Sequence, residues 1–399
     1  MTSKFDVIVI GLGAMGSATL YQLSKRGVKV LGIDQFTPPH NLGSSHGDTR
    51  ISRLAIGEGA HYTPMVMRSH EIWQEIEDEL NIKGLYNKTG LIVISSETRS
   101  ASVHVNNFFE TTLDAARKHK IKHELLDANE IRKRFPQLIV QDNESGYYEY
   151  DAGYLRPERC IEANLKLAKA RGAQLSLNNE VLVIDTNSGI TVKTKEGNFS
   201  ADKIIVSAGA WVNNFLKGYS ELFKVYRQVL YWFDLKDSFE IYREENFPVY
   251  IWEPQKTQYG LYGFPAVDGP HGGIKIAAEF FDHSIPDPST VNREVSKEET
   301  EFMFDNYIKP LFKRIDKNCL RSAVCLYTTT PDAGFVIDQH PENGNIWIAS
   351  PCSGHGFKHS ACVGELLAQV ITSEKKYLDL DPFALSRFNN NSAMKKEIL

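Results

Sequence analysis

Residues 5–16 read FDVIVIGLGAMG. An apolar, β-branched run follows a single acid, Asp6, and glycines then stand at 11, 13 and 16. The run predicts a buried parallel strand entering a tight turn. Gly11 and Gly13 let the backbone turn sharply and approach a pyrophosphate, while Gly16 lets helix and strand pack closely. Residues 18–27, ATLYQLSKRG, have helical spacing and stop at Gly27; residues 28–34, VKVLGID, form a second apolar run ending at Asp34. Strand, turn, helix and strand within about thirty residues make a dinucleotide-binding unit. Its helix N-terminus would face the phosphates with the positive end of its dipole. Asp34 would accept a hydrogen bond from a ribose hydroxyl, the alternative being an exposed acid at a strand end.

The rest of the chain bounds the function. At 399 residues it exceeds most single cores, so two domains are expected. With 42% hydrophobic and 24% charged residues the composition is that of an ordinary soluble protein. A net charge of −5 supplies no basic field for nucleic acid. Five cysteines, none in a Cys-x-x-Cys pair, fit free thiols in a reducing compartment, with neither a disulfide framework nor a metal site. The N-terminal apolar run is too short and glycine-broken for a signal peptide, and no stretch reaches the ~18 apolar residues of a membrane span. The C-terminal KKEIL matches no sorting signal, so a cytoplasmic protein is expected.

Helices are predicted over 61–82, 104–120, 127–135, 156–173, 296–315 and 354–371, and a strand over 90–95. Residues 181–185, 190–197 and 203–211 read as short strands returning to the first domain. Between 226 and 280 the character changes to aromatic-rich strands (YRQVLYWFDL, PVYIWEP, YGLYGFPA, GIKIAAEF) with no helix between them. These predict an antiparallel or mixed sheet that would wall a ligand. The expected fold is α/β: a Rossmann-like domain of residues 1–85, 150–218 and 322–385 interleaved with an α+β substrate domain of residues 86–149 and 219–321. NAD and FAD share the glycine motif. Its position at the N-terminus, and a second glycine-rich strand–turn, IASPCSGHGFK (348–358), opening the last helix, favour FAD.

Four stretches in one order, VIVIGLGAMGSATLYQLSKRG, FTPPHNLGSSHGDTRISR, VCLYTTTPD and SGHGFK, resemble the monomeric sarcosine oxidase family of flavin amine oxidases, which includes N-methyltryptophan and L-pipecolate oxidases. HGDTR, Cys-x-Tyr-Thr and GHGFK are far more distinctive than the glycine triplet. The resemblance spans residues 5 to about 380. It implies FAD covalently attached through a cysteine sulfur to the flavin 8α-methyl, here at Cys325, with Cys352 incidental. Read without the resemblance, Cys325 beside Ala323 and Val324 is equally a small core hydrophobe.

The resemblance further implies that Arg53 and Lys358 hold a substrate carboxylate, Arg50 packs on the flavin, and Lys275 serves the reaction with oxygen. Tyr262 and Tyr327 would line the cavity, with His46 and His355 nearby. Cofactor contacts would come from Gly11, Gly13, Gly16, Asp34, Thr49, Arg50, Gly354, Gly356 and Lys358. For Arg50 an ion pair with Asp48 or Glu58 is the competing reading, and for the tyrosines plain aromatic packing. The implied activity is oxidation of a secondary amino acid, N-methyl or cyclic, to an imine with reduction of O2 to H2O2, in a monomer. A dehydrogenase feeding another electron carrier, an NAD-linked dehydrogenase and a non-catalytic flavin-binding module are the alternatives. One departure touches the pocket wall: Glu279 stands where well-known sarcosine oxidases have histidine, and would either meet a second cation on the substrate or face solvent. Trp252 and Phe281 would also reshape the cavity.

Overall fold

The computed structural model describes residues 3–96, 105–216, 218–219, 221–255 and 257–388. The first residue of the helix expected over 104–120 and the KKEIL terminus lie outside the described residues. The strand Ser3–Ile10 runs parallel to Val30–Ile33 on one side and Asn198–Val206 on the other. The helix Ala14–Lys25 joins the first two, as the glycine pattern predicts. A Cβ on Gly16 would fall 1.7 Å from the Gly11 carbonyl oxygen, so only glycine permits this approach of helix to strand. Asn343–Ser350 pairs in parallel with Asn198–Val206, and Gln174–Ser176 with Val30–Ile33. Antiparallel strands Val181–Asp185 and Ile190–Thr194 extend one edge of this eight-stranded sheet.

Four helices, Ala14–Lys25, Thr63–Leu80, Pro157–Ala170 and Ser360–Ile371, bury their apolar residues in one core that includes Leu20, Val66, Ile161 and Leu366. The first and last helices touch at Gly364, where a Cβ would meet the Ala18 backbone at 2.5 Å. No helix among the described residues is long and apolar enough to cross a membrane. All five cysteines are unpaired.

The second sheet has nine strands, with Lys224–Phe233, Ile274–Ala278, Leu261–Gly263 and Val249–Glu253 as antiparallel neighbours. Val249–Glu253 lies parallel to Leu91–Ser96, which makes the sheet mixed. The long strand Cys319–Thr329 pairs with Lys224–Phe233 and sets Gln228 opposite Cys325. The expected domain division at residue 322 therefore falls inside a strand of the second sheet.

Two helices differ from expectation. The run predicted over 296–315 is α-helical only from Lys297 to Met303 and continues as a π-turn, Phe304–Ile308. Ser296 and Glu299 form its capping box, and Pro310, which has no N–H to donate, stands just past its end. The last helix becomes α-helical only at Ser360, after a 3-10 turn over Phe357–His359. Ser353 and Gly354 have φ of 42° and 80°, a left-handed bend that no α-helix continues.

Candidate active site

Side-chain alternation on the second sheet decides what faces the first. Successive side chains of a strand point to opposite faces. Cys325 and Tyr327 therefore share a face, as do Lys275, Ala277 and, one residue past the strand, Glu279. Tyr262 joins them, packed with Leu230, Trp232, Ala277, Cys325 and Tyr327. Ile274, Ile276, Ala278 and Val324 point the other way, into the core over the helix Lys297–Met303. Trp252 goes with that second set. Its indole donates to Glu144 at 2.8 Å and its ring packs on Phe312, so it is not a cavity wall; Ile251, one residue earlier, is. Phe281 likewise lies outside both cavity linings, edge-on to Tyr226 and behind Tyr327.

Two cavities meet on this face. The larger, about 1350 Å³, runs from Gly11, Gly13 and Asp34 to Cys352, Gly354 and Gly356. The smaller, about 640 Å³, is lined by Arg53, Glu58, Tyr262, Glu279, His355 and Lys358. Arg50, Tyr327, Gly354 and Phe357 line both. The larger cavity suits a dinucleotide. Gly13 is the N-cap of a twelve-residue helix with no side-chain cap, so free N–H groups face the cleft. Asp34 accepts from Leu12 N at 2.7 Å and Phe36 N at 2.8 Å, which fixes its carboxylate on the cleft wall. Burial pushes its pKa up, against those two hydrogen bonds. Gly16 lies beneath the turn, outside the lining.

The segment between the sheets is held by two acids, Glu158, half-buried, and Glu149, buried. Glu158 accepts from Gly47 N at 2.6 Å and Asp48 N at 3.2 Å. Glu149 accepts from Leu54 N, Ala55 N and the Tyr147 hydroxyl, fixing the segment that carries Arg53. The Arg50 guanidinium donates to the Thr49 and Ser44 carbonyls, each at 2.8 Å, and to the Cys325 sulfur at 3.3 Å. Neither expected carboxylate pairs with Arg50. Asp48 is bonded to Arg321, and Glu58 takes Arg53 at 2.7 Å. Arg53 also donates to the Ala55 carbonyl at 2.7 Å, so its fork is partly engaged within the protein.

Lys275 is buried. It donates to the Gly47 carbonyl at 2.6 Å, the Thr49 carbonyl at 2.9 Å and the Thr49 hydroxyl at 3.2 Å. Phe264 lies 4.7 Å and Trp232 5.4 Å from its nitrogen, as ring centroids. Desolvation, then Arg50, pulls its pKa well below the ordinary lysine value, while three acceptors match the three N–H groups of an ammonium. Lys358 donates to the His355 carbonyl at 2.6 Å. Burial brings its pKa down to about 7, with Glu58 opposing the shift, Arg53 adding to it and Glu279 opposing it.

The Tyr327 hydroxyl donates to that of Tyr262 at 3.1 Å. His46 is buried outside both linings with Nε2 unpartnered; burial, then Arg50 and Lys275, pushes it down to about 3. It stays neutral and is a weak proton acceptor. Lys275, Thr49 and Cys325 also lie one layer behind the cavity surface. Cys325 touches the cleft-lining residues Arg50 and Ser44, its thiol donating to the Ser44 carbonyl at 3.4 Å. Cys352 does line the cleft. Its sulfur accepts from Thr328 N at 3.4 Å, and burial pushes its thiol pKa up.

Glu149, Glu158 and Gln228 were not singled out in the sequence. Gln228 donates to the Phe280 carbonyl at 2.6 Å and accepts from its N–H at 3.0 Å, fixing the chain just past Glu279. Only Glu149, an acid ending an aromatic strand, carried a local signal.

A dinucleotide cleft sharing a wall with a buried, cation-lined pocket is the arrangement of a cofactor-dependent oxidoreductase. The chain belongs to the FAD dependent oxidoreductase family, whose sequence profile matches residues 6–370. It is 40% identical over 394 residues to a monomeric sarcosine oxidase of Bacillus sp. (strain B-0618), covering 97% of each chain. It is 34% identical to N-methyl-L-tryptophan oxidase of Escherichia coli O139:H28, covering 96% of this chain and 100% of that one. The fold matches NikD, an amino acid oxidase of nikkomycin biosynthesis, with TM-score 0.81 at 21% identity over 96% and 98% of the two chains. It also matches L-proline dehydrogenase from P. horikoshii, with TM-score 0.77 at 22% identity over 98% and 99%. The resemblance carried by HGDTR, Cys-x-Tyr-Thr and GHGFK is thereby borne out, and the protein is an FAD-dependent oxidoreductase.

Proposed function

We propose that the protein oxidises secondary amino acids at the C–N bond, returning the electrons to O2 as H2O2. The observation that carries this reading is the wall shared by the two cavities, Arg50, Tyr327, Gly354 and Phe357. A substrate in the smaller cavity would there lie against the reactive end of a dinucleotide in the larger. When bound, FAD supplies the acceptor for a hydride equivalent from the carbon beside nitrogen, leaving an imine that water hydrolyses or, for a ring substrate, a cyclic imine.

The chain's own residues bind, orient and exclude water. Lys358, at its depressed pKa, is a point charge for the substrate carboxylate; Arg53 adds its remaining donors. Phe108, Ile251, Leu261 and Phe264 line the same cavity and keep it dry, which strengthens those contacts. Tyr262 and Tyr327 present a hydroxyl pair to the substrate. Lys275, behind Gly47 and Thr49, supplies positive potential for oxygen reduction.

FAD attachment falls to Cys325 in this reading. The Arg50 guanidinium at 3.3 Å would stabilise negative charge on its sulfur. Cys352, held protonated by burial, is the poorer nucleophile. The reading extends to a cytoplasmic monomer with a flavin domain of residues 1–85, 150–218 and 322–385 and a substrate domain of residues 86–149 and 219–321. Purified protein supplied with N-methyl and cyclic amino acids should release peroxide in proportion to amine consumed. Turnover only with an added electron carrier would replace O2 as acceptor.

A further inference from the structure

We infer that Glu279 receives the cationic nitrogen of the substrate at the junction of the two cavities, so that the ligand binds as an ammonium carboxylate spanning Glu279 and Lys358. This rests on the reading of the smaller cavity as a secondary amino acid site. Glu279 is buried, at 8% exposure, and lines that cavity, so the solvent-facing alternative does not hold. Its backbone is fixed on both sides. Glu279 N donates to the Gly260 carbonyl at 3.3 Å, continuing the pairing of neighbouring strands, and Gln228 clamps Phe280. The carboxylate therefore sits on a rigid strand end.

Its position separates the reacting nitrogen from a distant second cation. A Cβ built on Gly354 would lie 3.5 Å from Glu279 Oε1, and Gly354 belongs to the wall that both cavities share. The carboxylate thus lies beside the shared wall, where a substrate in the smaller cavity would meet a cofactor in the larger. A cation carried further along a substrate side chain would lie deeper in the smaller cavity. Tyr262, Tyr327 and Lys358 feel the Glu279 charge, so they surround the same space. A buried carboxylate lining the cavity attracts a cationic nitrogen more strongly than a neutral group, and the more so where water is scarce. The same carboxylate accepts the proton that a secondary ammonium must lose before oxidation: the N–H bond breaks, a carboxyl O–H forms, and the nitrogen keeps its lone pair.

Two non-titrating, non-oxidised probes test this by calorimetry on the holoenzyme: trimethylglycine, a permanent cation, and (methylthio)acetate, its neutral thioether counterpart. Glu279→Gln should weaken trimethylglycine relative to (methylthio)acetate by at least about tenfold, and Glu279→Asp should retain the preference of the natural protein. An unchanged ratio in Glu279→Gln, with both probes bound, would overturn the role of Glu279. Failure of either probe to bind the natural protein, with no secondary amino acid reducing its flavin, would overturn the site reading instead.

Discussion

The Arg50 guanidinium donates to the Cys325 sulfur at 3.3 Å, joining the segment after the dinucleotide unit to the long strand Cys319–Thr329 of the second sheet. Cys325 and Tyr327 leave that strand on one face, and Arg50 and Tyr327 both line the two cavities. The sulfur proposed for attachment and the Tyr327 wall are thus set by one strand register. Cys325→Ala should yield FAD that acid precipitation releases into the supernatant. Cys352→Ala should leave the flavin in the pellet; the reverse pattern would move attachment to Cys352.

Lys275 is held by the carbonyls of Gly47 and Thr49 and lies behind the lining of the smaller cavity, outside it. Lys275→Met should therefore leave anaerobic flavin reduction by substrate nearly intact. It should slow reoxidation by oxygen at least about a hundredfold, the size of a lost preorganised charge. Stopped-flow reoxidation at the natural rate would remove oxygen activation from this residue.

Lys358 titrates at about 7 before a ligand binds. Below that pH it is an ammonium that attracts a carboxylate; above it, a neutral amine. Affinity for (methylthio)acetate, which carries no titrating nitrogen, should be constant below about pH 6. It should then fall by up to about tenfold per unit above 7. Lys358→Met should bind weakly with a flat profile over that range.

Arg53 and Glu58 form an ion pair whose side chains are each 2% exposed. Removing one partner of such a pair leaves a buried charge and costs about 3–5 kcal/mol. Arg53→Met should lower the urea midpoint accordingly. A second substitution, Glu58→Gln, should recover part of the loss, because it removes the charge left behind.

The βαβ unit was legible because its signal is local: glycines at fixed spacing force the Gly16–Gly11 approach wherever they occur between strand and helix. The face that carries Cys325, Tyr327, Lys275 and Glu279 was legible only in part. Alternation within a strand places Cys325 with Tyr327, but the burial of Trp252 on the far side, against Glu144 and Phe312, depends on residues distant in sequence. The same holds for the acids. Glu58 lies close in sequence to both Arg50 and Arg53, and only the fold, through Glu149 fixing Leu54 and Ala55, assigns it to Arg53. The late start of the last helix follows from left-handed backbone at Ser353 and Gly354, and a serine gives no sequence signal of that conformation.

Anaerobic mixing of purified holoprotein with N-methyl and cyclic amino acids, read as loss of the visible flavin absorbance, tests secondary amino acid oxidation most directly. At least one secondary amino acid should bleach the flavin completely, and its primary amine counterpart and its ester, which lacks the carboxylate proposed to meet Lys358, should do so far more slowly. Flavin that dithionite reduces but no secondary amino acid bleaches would contradict that activity.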